Sequence, residues 1–361
     1  RIVKDALGKP VSIVELERAT PGQDLRLTID AAIQERTEAV LAQVGEVYRP
    51  KGATAIVMDP RSGEILALAN WPRVDANDWA GAPEYARQNR VVMTSYEPGS
   101  TFKAITVASA LEAGLVDPAT TFSLPPQIQV ADRTIGEAHE RGWVTLSVAD
   151  ILAQSSNVGA VKIAQRVGAE RFDYWVRRFG FGRRTGIGLP GEADGIVLRP
   201  EEYTGPTLGN MAIGQGIAVT PIQMAAAYAA IANDGVLEPP HVIAGRRGTP
   251  RRIVSRATAR QLASMLKGVL GPGGTAAEAA VEGYELAGKT GTAEKPGEGG
   301  YAEGKYVASF IGFAPADAPR LLVAVMVDEP SIGVYSGAEV AAPAFEKIVS
   351  FALPYLKIPP Q

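Results

Sequence analysis

The chain has 361 residues, of which 46% are hydrophobic, and its formal net charge at pH 7 is −3. This length allows one large domain or two smaller ones with a substantial core, and the balanced charge provides no basic surface for nucleic acid. The chain contains no cysteine, which excludes a thiol nucleophile, a disulfide framework and a cysteine-ligated metal site. The sequence predicts neither a metal site nor a cofactor.

The first 30 residues are interpreted as the end of a preceding region. Residues 24–29 alternate polar and apolar side chains, as an edge strand would. Asp30 then suits the N-cap of a helix that runs from Ala31 to about Val44.

Two hairpins are predicted, one near each end of the chain. Residues 53–58 and 64–68 are apolar runs around a Pro/Gly turn, and residues 307–313 and 321–327 flank a second Pro-containing turn. A helix from Ala338 to about Leu353 follows the second hairpin.

The middle of the chain has mainly helical patterns. They cover residues 101–112, 148–167, 172–179, 222–232 and 257–269. Strand patterns at both ends with helices between them predict an α+β fold, in which one antiparallel sheet is assembled from the two ends and an all-helical region is inserted. A cleft between the sheet and this insert would collect the motifs described next.

The first candidate motif is Ser100 followed by Lys103 at the predicted start of a helix. Backbone N–H groups are free in a first helical turn, and the helix dipole there favours negative charge. A lysine at i+3 lies on the same face as the serine. A neutral Lys103 would take the Ser100 proton if burial or a neighbouring cation lowered its pKa. In isolation, the pair is more often a serine N-cap with a solvent-facing lysine.

The second motif is Ser155-Ser-Asn157, a polar triplet between apolar segments. Polar side chains in buried surroundings need hydrogen-bond partners. Ser155 would relay a proton between Lys103 and a leaving group, and Asn157 would hold a substrate amide. The alternative is a buried helix-capping cluster.

The third motif comprises Lys289, Thr290, Gly291 and Thr292. Glycine in a strand often marks a close approach of a ligand or another backbone. Lys289 and the two threonines would bind a carboxylate, and the Thr292 N–H would point at an oxyanion. Lys289 would also be the cation that lowers the pKa of Lys103, unless it is only a solvated lysine at a strand end. Residues 297–300 are predicted to form a mobile loop.

Each motif is short enough to arise by chance, but all three occur in one order and in the expected local contexts. The same three motifs are characteristic of penicillin-binding proteins and class A β-lactamases. A serine–histidine–aspartate triad would need His139 or His241, the two histidines of the chain, and neither lies in a recognisable setting.

Nearly the whole chain resembles the transpeptidase domain of class B penicillin-binding proteins of the division and sporulation type. The matching segments are residues 21–30, 58–67, 96–103, 154–159, 213–216, 219–223, 289–292, 328–330 and 341–343. The resemblance implies a penicillin-binding fold, with a five-stranded antiparallel sheet flanked by N- and C-terminal helices. It implies sheet parts at about 31–99 and 275–361, a helical insert at about 100–274, and a linker remnant at 1–30 from a missing pedestal.

The resemblance also implies the activity of a peptidoglycan D,D-transpeptidase and a role for each motif residue. Ser100 would attack the penultimate D-Ala carbonyl of a stem peptide, with Lys103 as its base, and Ser155 would pass the proton to the departing D-Ala. Asn157 would orient the substrate, and Lys289, Thr290 and Thr292 would hold its terminal carboxylate. The backbone N–H groups of Ser100 and Thr292 would form the oxyanion hole, and β-lactams would acylate Ser100.

Family members lie on the extracytoplasmic face of the bacterial cytoplasmic membrane, held by one N-terminal helix. The sequence has no stretch of roughly 18 consecutive apolar residues, so such an anchor is expected upstream of this chain. A polytopic glycosyltransferase and division-complex proteins are the partners that the resemblance implies, beside stem peptides and β-lactams.

Four other functions are compatible with these motifs. Ser-Thr-Phe-Lys is also typical of class D β-lactamases, although those enzymes usually carry an apolar residue where Asn157 stands and are shorter. A β-lactam sensor domain and a D,D-carboxypeptidase use the same acylation step. A degenerate scaffold that only binds stem peptides would be expected to lose Ser100 or Lys103 first.

Overall fold

The computed structural model describes residues 2–13, 20–297 and 299–360. The strands in this part of the chain are β1 (Ile2–Lys4), β2 (Pro10–Ile13), β3 (Gly52–Met58), β4 (Ile65–Trp71), β5 (Thr121–Leu124), β6 (Gln127–Val130), β7 (Arg133–Gly136), β8 (Val144–Ser147), β9 (Val236–Leu237), β10 (Arg251–Arg252), β11 (Ala287–Gly297), β12 (Gly300–Ala314) and β13 (Leu321–Asp328).

The α-helices in the same residues are α1 (Ala31–Tyr48), α2 (Arg90–Met93), α3 (Lys103–Glu112), α4 (Val148–Ala153), α5 (Asn157–Val167), α6 (Ala169–Phe179), α7 (Thr207–Ala212), α8 (Pro221–Ala232), α9 (Arg256–Lys267), α10 (Gly337–Val340) and α11 (Ala342–Tyr355). Short 3-10 helices cover Ala76–Asp78, Gly99–Phe102, Pro200–Glu202 and Ala277–Ala279.

The main sheet has five antiparallel strands in the order β11-β12-β13-β3-β4. Its strands come from the two ends of the chain, and both predicted hairpins are confirmed as β3–β4 and β12–β13. The predicted fold class, with its five-stranded sheet, is likewise confirmed. Strand β11 lies at an edge, so one side of its backbone is left without a strand partner in the sheet.

Both faces of the sheet are buried, because successive side chains of a strand point to opposite faces. In β3, Ala55 and Val57 join a core with α1 and α11, whereas Ile56 and Met58 join the core of the inserted region. The sheet therefore separates a layer of terminal helices from the insert. The side chain of Asp30 caps α1 by accepting hydrogen bonds from two backbone N–H groups, as predicted.

The inserted region is largely helical, but the description of it as all-helical was wrong in one respect. It also contains small two-stranded sheets, formed by β5 with β8, β6 with β7, and β9 with β10. These strands are two to four residues long, too short to dominate a sequence pattern. The sheets place the segment after β7 beside the second motif.

The helix predicted over residues 148–167 is in fact two helices, α4 and α5. The chain leaves helical geometry at Ser155, whose φ of 61° is left-handed. Ser156 is the N-cap of α5, and its side chain accepts a hydrogen bond from the N–H of Gly159. Serine is a favoured N-cap. The capping by Ser156 therefore explains why the helical pattern is divided at this point although its apolar spacing continues.

The strand predicted at residues 24–29 was wrong. Among the described residues of this segment, only Leu27 forms a bridge, with Ile243. Its partner is a loop of the insert, which offers no continuous ladder, and Leu27 is 48% exposed. The interpretation of residues 1–30 as a linker remnant stays a prediction, as do the divisions near residues 99 and 274; Arg1 and residues 14–19 lie outside the described residues.

The β11–β12 connection was predicted as a mobile loop. Gly297 and Gly300 pair with each other at the ends of the two strands, and Glu298 between them lies outside the described residues.

Candidate active site

A cleft of about 760 Å³ lies between the edge of the main sheet and the insert. All three sequence motifs contribute to its wall, through Ser100, Ser155, Asn157, Thr290 and Thr292. The fold thus brings together residues that are up to 192 positions apart in the chain.

The turn that carries Ser100 is fixed from behind. It is the 3-10 helix Gly99–Phe102, and the N–H of Lys103 donates to the Ser100 carbonyl as α3 begins. The N–H of Gly99 donates to the carbonyl of Gly214 over 3.0 Å. A Cβ on Gly214 would lie 2.1 Å from the Gly99 oxygen, so this close approach requires glycine. The serine is therefore presented on a backbone that has little freedom to move.

Lys103 lies behind the wall of the cleft and is 1% exposed. Its Nζ donates to the Ser155 carbonyl over 2.6 Å, to Asn157 Oδ1 over 2.6 Å and to Ser155 Oγ over 3.3 Å. The first and second motifs are thus joined directly through the lysine amine. This arrangement excludes the solvent-facing lysine that the pair would have in an ordinary helix cap.

Burial lowers the pKa of Lys103 to about 7. Removing an ammonium from water disfavours its charged form. Two nearby charges act in opposite directions, because the Glu137 carboxylate raises this pKa and the Arg141 guanidinium lowers it. A lysine with a pKa near neutrality is suited to accept a proton from a hydroxyl.

Ser155 and Asn157 are held by backbone geometry as well as by Lys103. The left-handed φ of Ser155 is uncommon outside glycine, and such residues concentrate at functional sites. Asn157 Nδ2 donates to the Gly136 carbonyl over 2.8 Å, which leaves Oδ1 directed at Lys103. Asn157 therefore orients the lysine, a contact that the sequence interpretation did not include.

The segment after β7 contributes a charged pair that the sequence interpretation missed. The Glu137 carboxylate accepts hydrogen bonds from Arg141, from Ser156 Oγ and from the N–H groups of Asn157 and Val158. No sequence motif indicated this role of Glu137, because the contact joins a loop residue to the start of α5 about 20 positions later. His139 and Glu140 of the same segment also line the cleft.

Lys289 lies on β11 and is fully buried. Its Nζ contacts the carbonyl and the hydroxyl of Thr290 at 3.2 and 3.3 Å. Burial lowers the pKa of Lys289 well below its ordinary value, and repulsion from Lys103 lowers it further. Arg141 is a cation that lowers the pKa of Lys103 and that the sequence interpretation did not include. Lys103 and Lys289 also repel each other, and the expected effect of Lys289 on Lys103 stays a prediction.

The remaining residues of the third motif have distinct positions. Thr290 Oγ1 lies 2.9 Å from Thr275 Oγ1, and Thr292 Oγ1 accepts from the Gly337 N–H over 3.0 Å. Gly291 does not line the cleft but packs beneath the serine turn. A Cβ there would lie 2.4 Å from Ser309 Oγ and 3.0 Å from the Pro98 carbonyl. Glycine at this position thus lets the strand and the serine turn pack together.

No helix among the described residues combines the length and the apolar character needed to cross a bilayer.

Comparison with known proteins agrees with this geometry. Residues 53–350 match the family described as "Penicillin binding protein transpeptidase domain". Penicillin-binding protein PbpB of Mycolicibacterium smegmatis is 36% identical over 98% of this chain and 58% of its own length. Stage V sporulation protein D of Bacillus subtilis is 37% identical over 99% and 58%. The probable peptidoglycan D,D-transpeptidase PenA of Neisseria gonorrhoeae is 36% identical over 99% and 62%.

Two solved structures are similar along most of the chain. Penicillin-binding protein 3 of Mycobacterium tuberculosis, in complex with aztreonam, has a TM-score of 0.88 at 35% identity and covers 93% of this chain and 80% of that one. The transpeptidase domain of penicillin-binding protein 3 from Burkholderia pseudomallei has a TM-score of 0.84 at 36% identity, with 95% and 99% covered. The chain spans about three fifths of the length of the curated relatives named above.

Proposed function

Because the chain belongs to the penicillin-binding protein transpeptidase family, we propose that it catalyses D,D-transpeptidation of peptidoglycan stem peptides through an acyl-enzyme on Ser100. The observation that carries this proposal is the bonding of buried Lys103 to Ser155 and Asn157 within the cleft that Ser100 lines. A serine hydroxyl needs such a base to become a nucleophile.

In the acylation step, Ser100 Oγ attacks the carbonyl carbon of the penultimate D-Ala. Neutral Lys103 takes the hydroxyl proton, and a C–O bond forms. The peptide C–N bond then breaks, and the terminal D-Ala leaves as an amine after Ser155 passes a proton to it. The contact between Lys103 Nζ and Ser155 Oγ supports this proton route.

In the transfer step, an amine of a neighbouring stem peptide attacks the ester carbonyl. Its nitrogen gives a proton to Lys103, a new C–N bond forms, the C–O bond to Ser100 breaks, and Ser100 Oγ takes the proton back from Lys103. The backbone N–H groups of Ser100 and Thr292 would stabilise the oxyanion in both steps. Removing one such donor typically costs about 3 kcal/mol of transition-state stabilisation.

The terminal carboxylate of the donor peptide would bind near Lys289, Thr290 and Thr292. An anion close to Lys289 favours the charged form of the lysine, so substrate binding would raise the pKa that burial lowers. The hydroxyl of Thr292 accepts from Gly337 and keeps its own proton for donation to the substrate. Gly291 serves this site by allowing the strand to approach the serine turn.

A β-lactam would acylate Ser100 by the same attack, with opening of the lactam C–N bond, and remain as an ester. Fast deacylation, as in a β-lactamase, needs a carboxylate or another base free to activate water. The buried Glu137 carboxylate already accepts four hydrogen bonds, three of them on Oε1. This saturation leaves Glu137 unsuited to activate water for deacylation.

We also infer the cellular location of the reaction and the partner proteins. We expect the whole protein to act at the extracytoplasmic face of the cytoplasmic membrane through an anchor outside this chain, beside a polytopic glycosyltransferase and division-complex proteins. The name of one relative, Stage V sporulation protein D of Bacillus subtilis, supports a role in sporulation.

Incubation with benzylpenicillin, followed by intact mass over hours, tests the proposal. A single persistent adduct that maps to Ser100 is expected, and transfer of a donor stem peptide to an added amine should follow. Rapid loss of the adduct as penicillin is consumed would instead indicate a β-lactamase. An adduct without peptide transfer would favour a sensor, and absence of any adduct would leave a non-catalytic scaffold.

A further inference from the structure

The Glu137–Arg141 pair lies behind the second motif and is nearly enclosed by protein. The side chains of Glu137 and Arg141 are 6% and 23% exposed. Arg141 also donates to Ser156 Oγ over 2.8 Å. Charged groups in such a position are costly to bury unless they are paired and hydrogen-bonded. The two residues pair with each other through one terminal nitrogen of Arg141, whereas Arg141 Nε is buried without a hydrogen-bond partner.

The Glu137–Arg141 pair fixes Asn157, and Asn157 in turn contacts Lys103, the proposed base. Glu137 Oε2 accepts from the Asn157 N–H over 2.7 Å, and Glu137 Oε1 accepts from the Val158 N–H over 3.2 Å. These are orphan donors of the first turn of α5, where a carboxylate is favoured by the helix dipole. The side chain of the same Asn157 accepts from Lys103 Nζ. A continuous set of contacts therefore leads from the carboxylate to the amine.

We propose that Glu137 and Arg141 are positioning residues for acylation: the Glu137 carboxylate, paired with Arg141, holds the first turn of α5 so that Asn157 meets Lys103. This inference rests on the proposed function of Lys103 as the base. Neither residue belongs to the three motifs, although both line the cleft.

The two charges of the pair also act on the protonation of Lys103, and they act in opposite directions. Glu137 stabilises the ammonium form of Lys103, and Arg141 opposes it. Of the other charged groups near this site, Lys289 faces Lys103 from β11 and is itself subject to their repulsion. The remaining titratable side chains of the cleft wall are His139, Glu140, Tyr335 and Glu339. A purely structural ion pair would not move the pH profile in opposite directions when one partner or the other is removed.

The experiment measures the second-order rate constant of acylation by nitrocefin between pH 5.5 and 9.5 for the wild type, E137Q, R141Q and the double variant. The ascending limb of the profile reports the base of the free enzyme. We expect its midpoint to move to lower pH in E137Q, to higher pH in R141Q, and back towards the wild type in the double variant. The matched control is Arg177→Gln, which breaks another i,i+4 pair, with Asp173 on α6, and should leave the midpoint unchanged.

A uniform loss of rate at every pH, without a change of midpoint in R141Q, would overturn the proposal. Thermal unfolding of each variant shows whether it is folded. If E137Q does not fold, the pH midpoint of acylation in R141Q tests the proposal by itself, and a rise of that midpoint supports it. The two hypotheses fail in different ways. A wild type that is never acylated removes the proposed function, whereas an acylated wild type with unshifted variants removes only the role of this pair.

Discussion

The Nζ of Lys103 donates a 2.6 Å hydrogen bond to Oδ1 of Asn157, across 54 positions of the chain. The partner is a neutral amide, so it satisfies the buried amine without stabilising its ammonium form as strongly as a carboxylate would. This choice of partner is compatible with a lysine that must lose its proton near neutral pH.

The first prediction concerns the nucleophile. Ser100→Ala should abolish covalent labelling by benzylpenicillin, because the attacking oxygen is absent, while the thermal unfolding midpoint stays near that of the wild type. Intact mass spectrometry after incubation is the measurement. Labelling of the variant at another serine would show that Ser100 is not the nucleophile.

The second prediction is the pH dependence of acylation in the wild type. The pKa of Lys103 is about 7, and only the neutral amine can accept a proton. Below this value the lysine is protonated and acylation should be slow; as pH rises through about 7, the rate constant should rise and then level off. Stopped-flow acylation over this range is the measurement. A rate that is flat from pH 5.5 to 9 would contradict the assignment.

The third prediction separates charge from basicity at the same position. Lys103→Arg keeps a cation, but the guanidinium does not deprotonate in proteins. Loss of a general base typically costs roughly 10²- to 10⁴-fold in rate, so acylation should slow by that order at every pH. Near-normal acylation in this variant would remove Lys103 from the role of base.

The sequence alone predicted the elements that local patterns determine. The hairpins β3–β4 and β12–β13 follow from short apolar runs around turns, and α1 follows from Asp30 and its apolar spacing. The grouping of Ser100, Ser155 and Lys289 came from the motifs and the family resemblance. The sequence also predicted one cleft that collects these groups, but the contacts of Lys103 with Ser155 and Asn157 depend on tertiary packing, which no local pattern contains.

The features that the sequence did not predict depend on contacts between distant segments. Glu137 and Arg141 act on α5 from a loop, and Gly291 is explained only once Pro98 is known to lie above it. The break at Ser155 was missed because apolar residues on both sides continue a helical pattern, while the decisive signal is a backbone angle. In each case the tertiary packing overrides or adds to the local preference.

The fourth prediction changes the partner of the base. In Asn157→Asp, a carboxylate would stand where the amide oxygen lies, 2.6 Å from Nζ, and would stabilise the ammonium form. An opposite charge at this range typically raises a lysine pKa by one unit or more, so acylation at pH 7 should fall about fivefold or more and recover as pH increases. Asn157→Leu, which removes the acceptor without adding charge, should lose rate without that recovery. Equal pH profiles in the two variants would contradict the explanation.

The last prediction tests the packing of the third motif beneath the serine turn. In Gly291→Ala, the new Cβ would meet Ser309 Oγ at 2.4 Å and the Pro98 carbonyl at 3.0 Å. The side chain of Ser309 can rotate away, but the backbone before Ser100 must shift, so we expect a loss of about 1–3 kcal/mol in the free energy of unfolding together with slower acylation. Gly22→Ala is the matched control, since a Cβ there has open space and should change stability by less than about 0.5 kcal/mol. Denaturant unfolding and nitrocefin acylation of both variants provide the comparison. If Gly291→Ala were as stable and as reactive as the control, close packing between this strand and the serine turn would not be what positions the nucleophile.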